Sequence, residues 1–193
     1  MLALLALAVL LASIAQPFPE IAPLQHAPTV ALILAAPWLL RRWPLSNGAV
    51  ACLLIFFLLH TLGGRYTYSN VPYDAWARAL TGHGINAAFG ATRNDYDRLV
   101  HLAFGLLFVV PVAQVLCRHA AAGPRLALAG GIAFVLAVSA LYEIFEWLLT
   151  IVLGGMADDY NGQQGDLWDA QKDMAIAALG AAMAGCWTVA RRR

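Results

Sequence analysis

Seven of the chain's eleven carboxylates fall between residues 143 and 173, namely Glu143, Glu146, Asp158, Asp159, Asp166, Asp169 and Asp173, beside long apolar runs. Carboxylates at the edge of a bilayer are costly and need a reason. Glu143 and Glu146 are spaced i, i+3, adjacent on one helix, where two like charges call for a proton, a cation or a basic partner between them. Upstream, Asp97 and His101 stand i, i+4 on a shared face, so the carboxylate either orients the imidazole or joins it at a metal. If Asp166 opens the last helix, then Asp166, Asp169 and Asp173 fall within roughly a 60° arc of one face, with Gln171 and Lys172 to the sides. Part of this is ordinary, because aspartates in a first helical turn complement the helix dipole. The run Asp158-Asp-Tyr-Asn-Gly matches a calcium loop in composition only, since the EF-hand spacing and terminal glutamate are missing.

Two histidines, His60 and His101, join these carboxylates in a ligand set suited to a divalent cation such as Mg, Mn, Fe or Zn. The same set would serve a proton relay. The expected catalytic residues are therefore Glu143, Glu146 and Asp97. The expected metal ligands are His60, His101, Glu143, Glu146, Asp166, Asp169 and Asp173, and the expected cofactor is a divalent metal ion. The sequence carries no HExxH, no Walker lysine, no Gly-x-Ser-x-Gly and no paired cysteines. Zincin, nucleotide-driven and serine-hydrolase chemistries lack their motifs.

The elements that must position these groups are membrane helices. The 193 residues are 61% hydrophobic and 12% charged, with a mean hydropathy of +0.69, against about a quarter charged in soluble domains. The expected fold is an all-α integral membrane protein in a single domain, 1–193: a bundle of six transmembrane helices at about 2–16, 27–41, 47–63, 97–118, 125–153 and 167–190. Between the third and fourth, Tyr66, Tyr68, Tyr73 and Trp76, with Asp74 and Arg78 one turn apart, predict a short interfacial helix within an aromatic belt. The first run ends Ser13-Ile-Ala15, small residues of the kind a signal peptidase reads. It has no basic residue before it, which favours a retained helix. Pro17, Pro19, Pro23 and Pro28 mark the first outer loop, while Pro37 and Pro111 should kink the second and fourth helices. Gly130, Gly131, Gly180 and Gly185 read as close helix packing, and Cys52, Cys117 and Cys186 as small hydrophobes.

Charge sets the orientation. The loop with Arg41 and Arg42, the loop with Arg118 and Arg125, and the tail Arg191 to Arg193 hold arginines and no acid, which places them in the cytoplasm. Both termini are then cytoplasmic, and connections 63–98 and 154–173 meet on the outer face. Glu143 lies 18 residues beyond Arg125, about 27 Å along a helix against a hydrocarbon core of about 30 Å. The glutamate pair therefore belongs near the outer edge of the core.

Four motifs carry a resemblance: His60-Thr-Leu-Gly-Gly-Arg-Tyr-Thr-Tyr68 with Val71-Pro72; Tyr96-Asp-Arg-Leu-Val-His101; Glu143-Ile-Phe-Glu-Trp147; and Gly165-Asp-Leu-Trp-Asp-Ala-Gln-Lys-Asp-Met174. Together they resemble the signature of the bacterial YjdF-type inner-membrane family, across roughly residues 20 to 190, with the last motif the most distinctive. The resemblance implies an inner-membrane location and a topology but no activity, because the family is a domain of unknown function. The chain departs from the family pattern after Pro111-Val112, where Ala113-Gln114 replaces an Arg-Glu pair, so no role resting on that pair transfers. A looser likeness, over about half the chain, is to the VanZ-like membrane proteins through Asp97 to His101, the glutamate helix and Asp169 to Asp173; it hints at envelope or lipid-linked substrates.

Two functions of different class stay open at this level, with a non-catalytic scaffold as a third. One is an enzyme whose cation activates water or polarises a phosphoryl or acyl oxygen of a lipid or envelope substrate. The other is a proton- or cation-coupled transporter. The expected partners are membrane lipid and a lipid-linked or envelope substrate. Nucleic acid has no support in a net charge of +1.

Overall fold

A computed structural model describes residues 1–154, 160 and 163–191. The described residues form helices and no strand: α1 (Leu2–Ser13), α2 (Ala22–Arg42), α3 (Asn47–Arg65), α4 (Tyr73–Thr81), α5 (Ile85–Phe89), α6 (Tyr96–His119), α7 (Pro124–Leu153) and α8 (Asp169–Ala190). Five of them, α2, α3, α6, α7 and α8, are long and apolar enough to cross a membrane.

Local chemistry sets several helix ends. Ser46 caps α3 by accepting the Ala49 N–H at 3.2 Å. The Gln114 side chain of α6 holds that cap from the other side, accepting from the Ser46 N–H at 3.1 Å and donating to its hydroxyl at 2.9 Å. Proline opens α2 and α7, where a missing N–H costs nothing. Pro23 and Pro28, expected in the outer loop, therefore lie inside α2, which starts at Ala22 rather than near 27. A proline in the first turns of a helix removes only a donor that has no intrahelical partner or one neighbours can replace.

α1 has 12 residues, about 18 Å of helix, and ends at Ser13 instead of near 16. It runs beside α3, and its C-terminal carbonyls are gripped by Arg65, which donates to Ala12 O at 2.7 Å and Ile14 O at 2.8 Å. Its other end shares an apolar cavity of about 220 Å3 with Leu39, Leu40, Trp43 and Leu45.

The densest contact is between α6 and α8. A Cβ on Gly105 of α6 would collide with the Ala177 carbonyl, and one on Gly180 of α8 would collide with that of Leu102, so the two backbones touch directly. Gly131 of α7 meets the Val109 carbonyl of α6 in the same way. Val109, Val135, Ala177, Ala181 and Ala184 form the buried centre of this three-helix unit. In a bilayer, where lipid is as apolar as leucine, such backbone proximity is what drives association. Gly105→Ala should therefore lower stability by about 1–3 kcal/mol through overpacking, measured by unfolding in detergent. Gly123→Ala, where the added methyl meets open space, serves as the reference and should change stability far less.

Candidate functional site

The α6–α8 contact brings two carboxylate-bearing helices together at one end of the bundle, and α7 adds a third. Asp97 and His101 of α6 and Asp173 of α8 each offer a ligand atom within 4.8 Å of the others. His101 Nε2 lies 3.6 Å from Asp97 Oδ1 and 3.8 Å from Glu143 Oε1. All four side chains are buried, and Glu143 Oε1 and Asp173 Oδ1 have no hydrogen-bond partner among the described residues. An unsatisfied buried polar group costs about 1–3 kcal/mol, more when charged. One turn along α7, Glu146 bonds with Tyr142 and feels the charges of Asp97, Glu143 and Asp173.

The remaining expected ligands are engaged elsewhere. Asp166 does not open the last helix: α8 starts at Asp169, and Asp166 occupies the preceding turn, where its carboxylate accepts the Trp168 N–H at 3.1 Å. It bonds Arg98 at 2.7 Å and Lys172 at 2.6 Å, so Lys172, read as pointing aside, is its partner. Asp169 is paired with Arg93 at 2.5 Å. His60 Nδ1 and the Tyr68 hydroxyl share a hydrogen bond. Asp158 and Asp159 lie outside the described residues.

Several of these groups were not singled out from the sequence. Arg93 and Arg98 neutralise the aspartates at the aqueous end and staple three segments together. Arg93 also donates to Gln163 O at 3.2 Å, and Asn94 and Gln164 exchange bonds of 3.0 and 2.9 Å. Asn94 Nδ2 reaches Val71 O at 2.8 Å. Only the excess of acid over base in these loops hinted at such counterions.

Tyr68, expected in an aromatic belt, is instead buried at 5% exposure. Its ring fills the space above Gly63 that a Cβ would need. Thr67 and Tyr68 both adopt left-handed backbone, φ 50° and 55°, which costs about 1–3 kcal/mol for each non-glycine residue and turns the hydroxyl back onto His60. A further polar band on α2, Gln25, His26 and Thr29, is buried against α3, with Gln25 Oε1, both His26 ring nitrogens and Thr29 Oγ1 unpartnered among the described residues.

Beside the acidic centre is a cavity of about 270 Å3. His60, Tyr68, Asp97, His101, Ser139 and Tyr142 line its polar end, and Phe56, Phe57, Phe104 and Phe108 line the rest. The phenylalanines pack edge to face, Phe56 on Phe108 at 4.9 Å between centroids.

An all-helical bundle with five membrane-length helices and a buried acidic centre defines a polytopic membrane protein. The chain belongs to the family described as Predicted membrane protein (DUF2238), whose profile matches residues 1–193. It is 36% identical over 153 residues to the Inner membrane protein YjdF of Escherichia coli (strain K12), an alignment covering 79% of this chain and 68% of that protein. No solved structure matches the chain.

Outside the membrane-length helices, two acids are held below the ordinary carboxyl range. The Lys172 ammonium, followed by the Trp168 N–H, holds the Asp166 carboxyl below the ordinary range. The Asn86 N–H and Arg78 do the same for Asp74. A depressed folded value means the Asp166 contacts contribute above the unfolded value of about 3.9, and the contribution is lost as pH falls through the lower folded value. Asp166→Asn should thus be less stable than wild type from neutral pH down to about 4, and the gap should close below that. Thermal unfolding in detergent between pH 7 and pH 2 measures it.

Proposed function

We propose that Asp97, His101, Glu143 and Asp173 hold a divalent cation near the outer edge of the inner membrane, and that the protein is an enzyme acting there on a lipid or lipid-linked envelope substrate. The observation that carries this reading is the convergence of three carboxylates and one imidazole, two of the carboxylates with unpartnered oxygens, from three separate helices. Carboxylates this close either share a proton or stay ionised around a cation. Three oxygens and one nitrogen suit Mg, Mn, Fe or Zn. A cation so held would polarise a phosphoryl or acyl oxygen or activate water. Glu146 and Asp97 are the carboxylates best placed to move the proton. His60, Asp166 and Asp169 position the site through Tyr68, Arg98 and Arg93 rather than ligating.

The topology that goes with this reading has six crossings, with both termini in the cytoplasm. α1, 12 residues beside α3 with Arg65 on its C-terminal carbonyls, is the sixth crossing in this reading, completed by its flanking residues. Arg41, Arg42, Arg118 and Arg125 then face the cytoplasm by the positive-inside rule. The Escherichia coli relative is an inner membrane protein by name, in keeping with the same location. α4 and α5, with Trp76, Leu80 and Phe89 exposed and the Asp74–Arg78 pair of 2.8 Å on the polar side, lie in the outer interface.

Protein purified in detergent without chelator should carry near-stoichiometric Mn, Fe, Zn or Mg by elemental analysis. Asp173→Asn and His101→Ala should each lose most of it, while Asp74→Asn keeps it. Equal metal in all four proteins, or none in wild type, would sink the cation reading and leave the acids sharing protons. For topology, single cysteines at Ala88 and Ala121 in a chain lacking Cys52, Cys117 and Cys186 should react with an impermeant maleimide from opposite sides. Labelling of both from one side would overturn the arrangement.

A further inference from the structure

The cavity beside the acidic centre has two ends of opposite chemistry. At one, Ser139 Oγ is buried with no hydrogen-bond partner among the described residues, with His60, Asp97 and His101 lining the same cavity. Ser139 is 2% exposed and does not turn back on its own helix, as a lone serine in a membrane helix ordinarily does. At the other end four phenylalanine rings leave a slot with no polar atom to satisfy. An occupant must therefore carry oxygen or nitrogen at one end and hydrocarbon at the other.

The way in is sideways. Toward water, the Arg93–Asp169, Arg98–Asp166 and Asn94–Gln164 contacts tie the start of α6 and the loop before it to the start of α8 and the turn before it. The cavity wall is completed by Pro28 of α2 and by Val138, Ser139 and Tyr142 of α7. α2 packs on α1 and α3, and α7 on α6 and α8, with no substantial packing between α2 and α7 among the described residues. Tyr160 bridges the outer end of that gap, its carbonyl accepting from Gln25 Nε2 of α2 at 3.3 Å and its ring lying against Phe145 of α7, so the entry lies deeper, where Pro28 and Val138 line the cavity.

We infer that this cavity takes one hydrocarbon chain of a bilayer phospholipid, which enters between α2 and α7 with its chain among Phe56, Phe57, Phe104 and Phe108 and its ester or phosphate oxygens against Ser139, His60 and the acidic centre. This deepens the proposed function by giving the substrate class and its route, and it rests on that reading only for the chemistry at the headgroup. Ser139 supplies a neutral hydrogen bond that orients the ester, and a cation held by the carboxylates would meet the phosphate. Tyr68 fixes the His60 ring through Nδ1.

The test uses the full chain in vesicles of phosphatidylethanolamine and phosphatidylglycerol in which one acyl chain carries a diazirine, with irradiation and peptide mapping by mass spectrometry. Wild type should be labelled at Phe57 and Phe104 as well as at Leu34, which is 77% exposed and faces lipid. Ser139→Phe should cut the Phe104 label at least fivefold and leave the Leu34 label unchanged. The Leu34 label reports that the variant is inserted and folded; should it fall as well, Val138→Phe repeats the comparison from the neighbouring position. Labelling of Leu34 alone in wild type, or a Phe104 label that neither filling variant reduces, would overturn the inference. Repeating the experiment with EDTA separates the two readings: the chain should label whether or not metal is bound, so a failed metal assay leaves this result standing and the reverse also holds.

Discussion

The direct backbone contact of α6 with α8 is the constraint on which the rest of the molecule depends. Gly105 and Gly180 allow it, each occupying a place where a methyl would strike the other helix's backbone. The consequence is felt about a turn or two away, at the end where Asp97 and His101 face Asp173. Side chains as short as aspartate meet across two helices only if the axes are close. The small residues that look like packing filler are thus what makes a polar centre possible in an otherwise apolar bundle.

A centre of that kind has to be kept from both solvents. Toward water, the acids Asp166 and Asp169 are neutralised by Arg98, Lys172 and Arg93, and the loop that carries Arg93 is held by the bonds of Asn94 to Gln164 and Val71. Ion pairs at this partly exposed depth add little stability by themselves. Their effect is positional, because they use up two aspartates and leave Asp97, Glu143 and Asp173 grouped around His101. Toward lipid, the phenylalanines and the Tyr68–His60 pair set a graded wall, polar near the acids and apolar deeper. The strained Thr67–Tyr68 backbone is consistent with a hydroxyl whose placement matters more than the local stability it costs.

Much of the architecture was legible in the sequence. Apolar run lengths located the five long helices to within a few residues at most ends, since a helix in lipid must satisfy its backbone internally and so follows hydropathy closely. Family membership was also readable, because motifs such as Gly165 to Met174 place several polar residues in a fixed order. Helix starts were less legible. Pro28 looked like loop although α2 runs through it, and Asp166 looked like the first residue of α8 although it lies in the turn before, because proline and aspartate favour both situations and only neighbouring contacts choose between them.

What the sequence by itself determined is the class of the protein, the run of its helices and the end of the bundle at which its ionisable residues gather, because hydropathy and periodicity are local properties. Only the tertiary structure decided which of those residues meet. Asp97, His101, Glu143 and Asp173 converge while Asp166 and Asp169 are taken by arginine, and Tyr68 turns inward to His60. These outcomes follow from how α6, α7 and α8 approach one another and where Arg93 and Arg98 reach, distances between residues as far as 76 positions apart that no local pattern encodes.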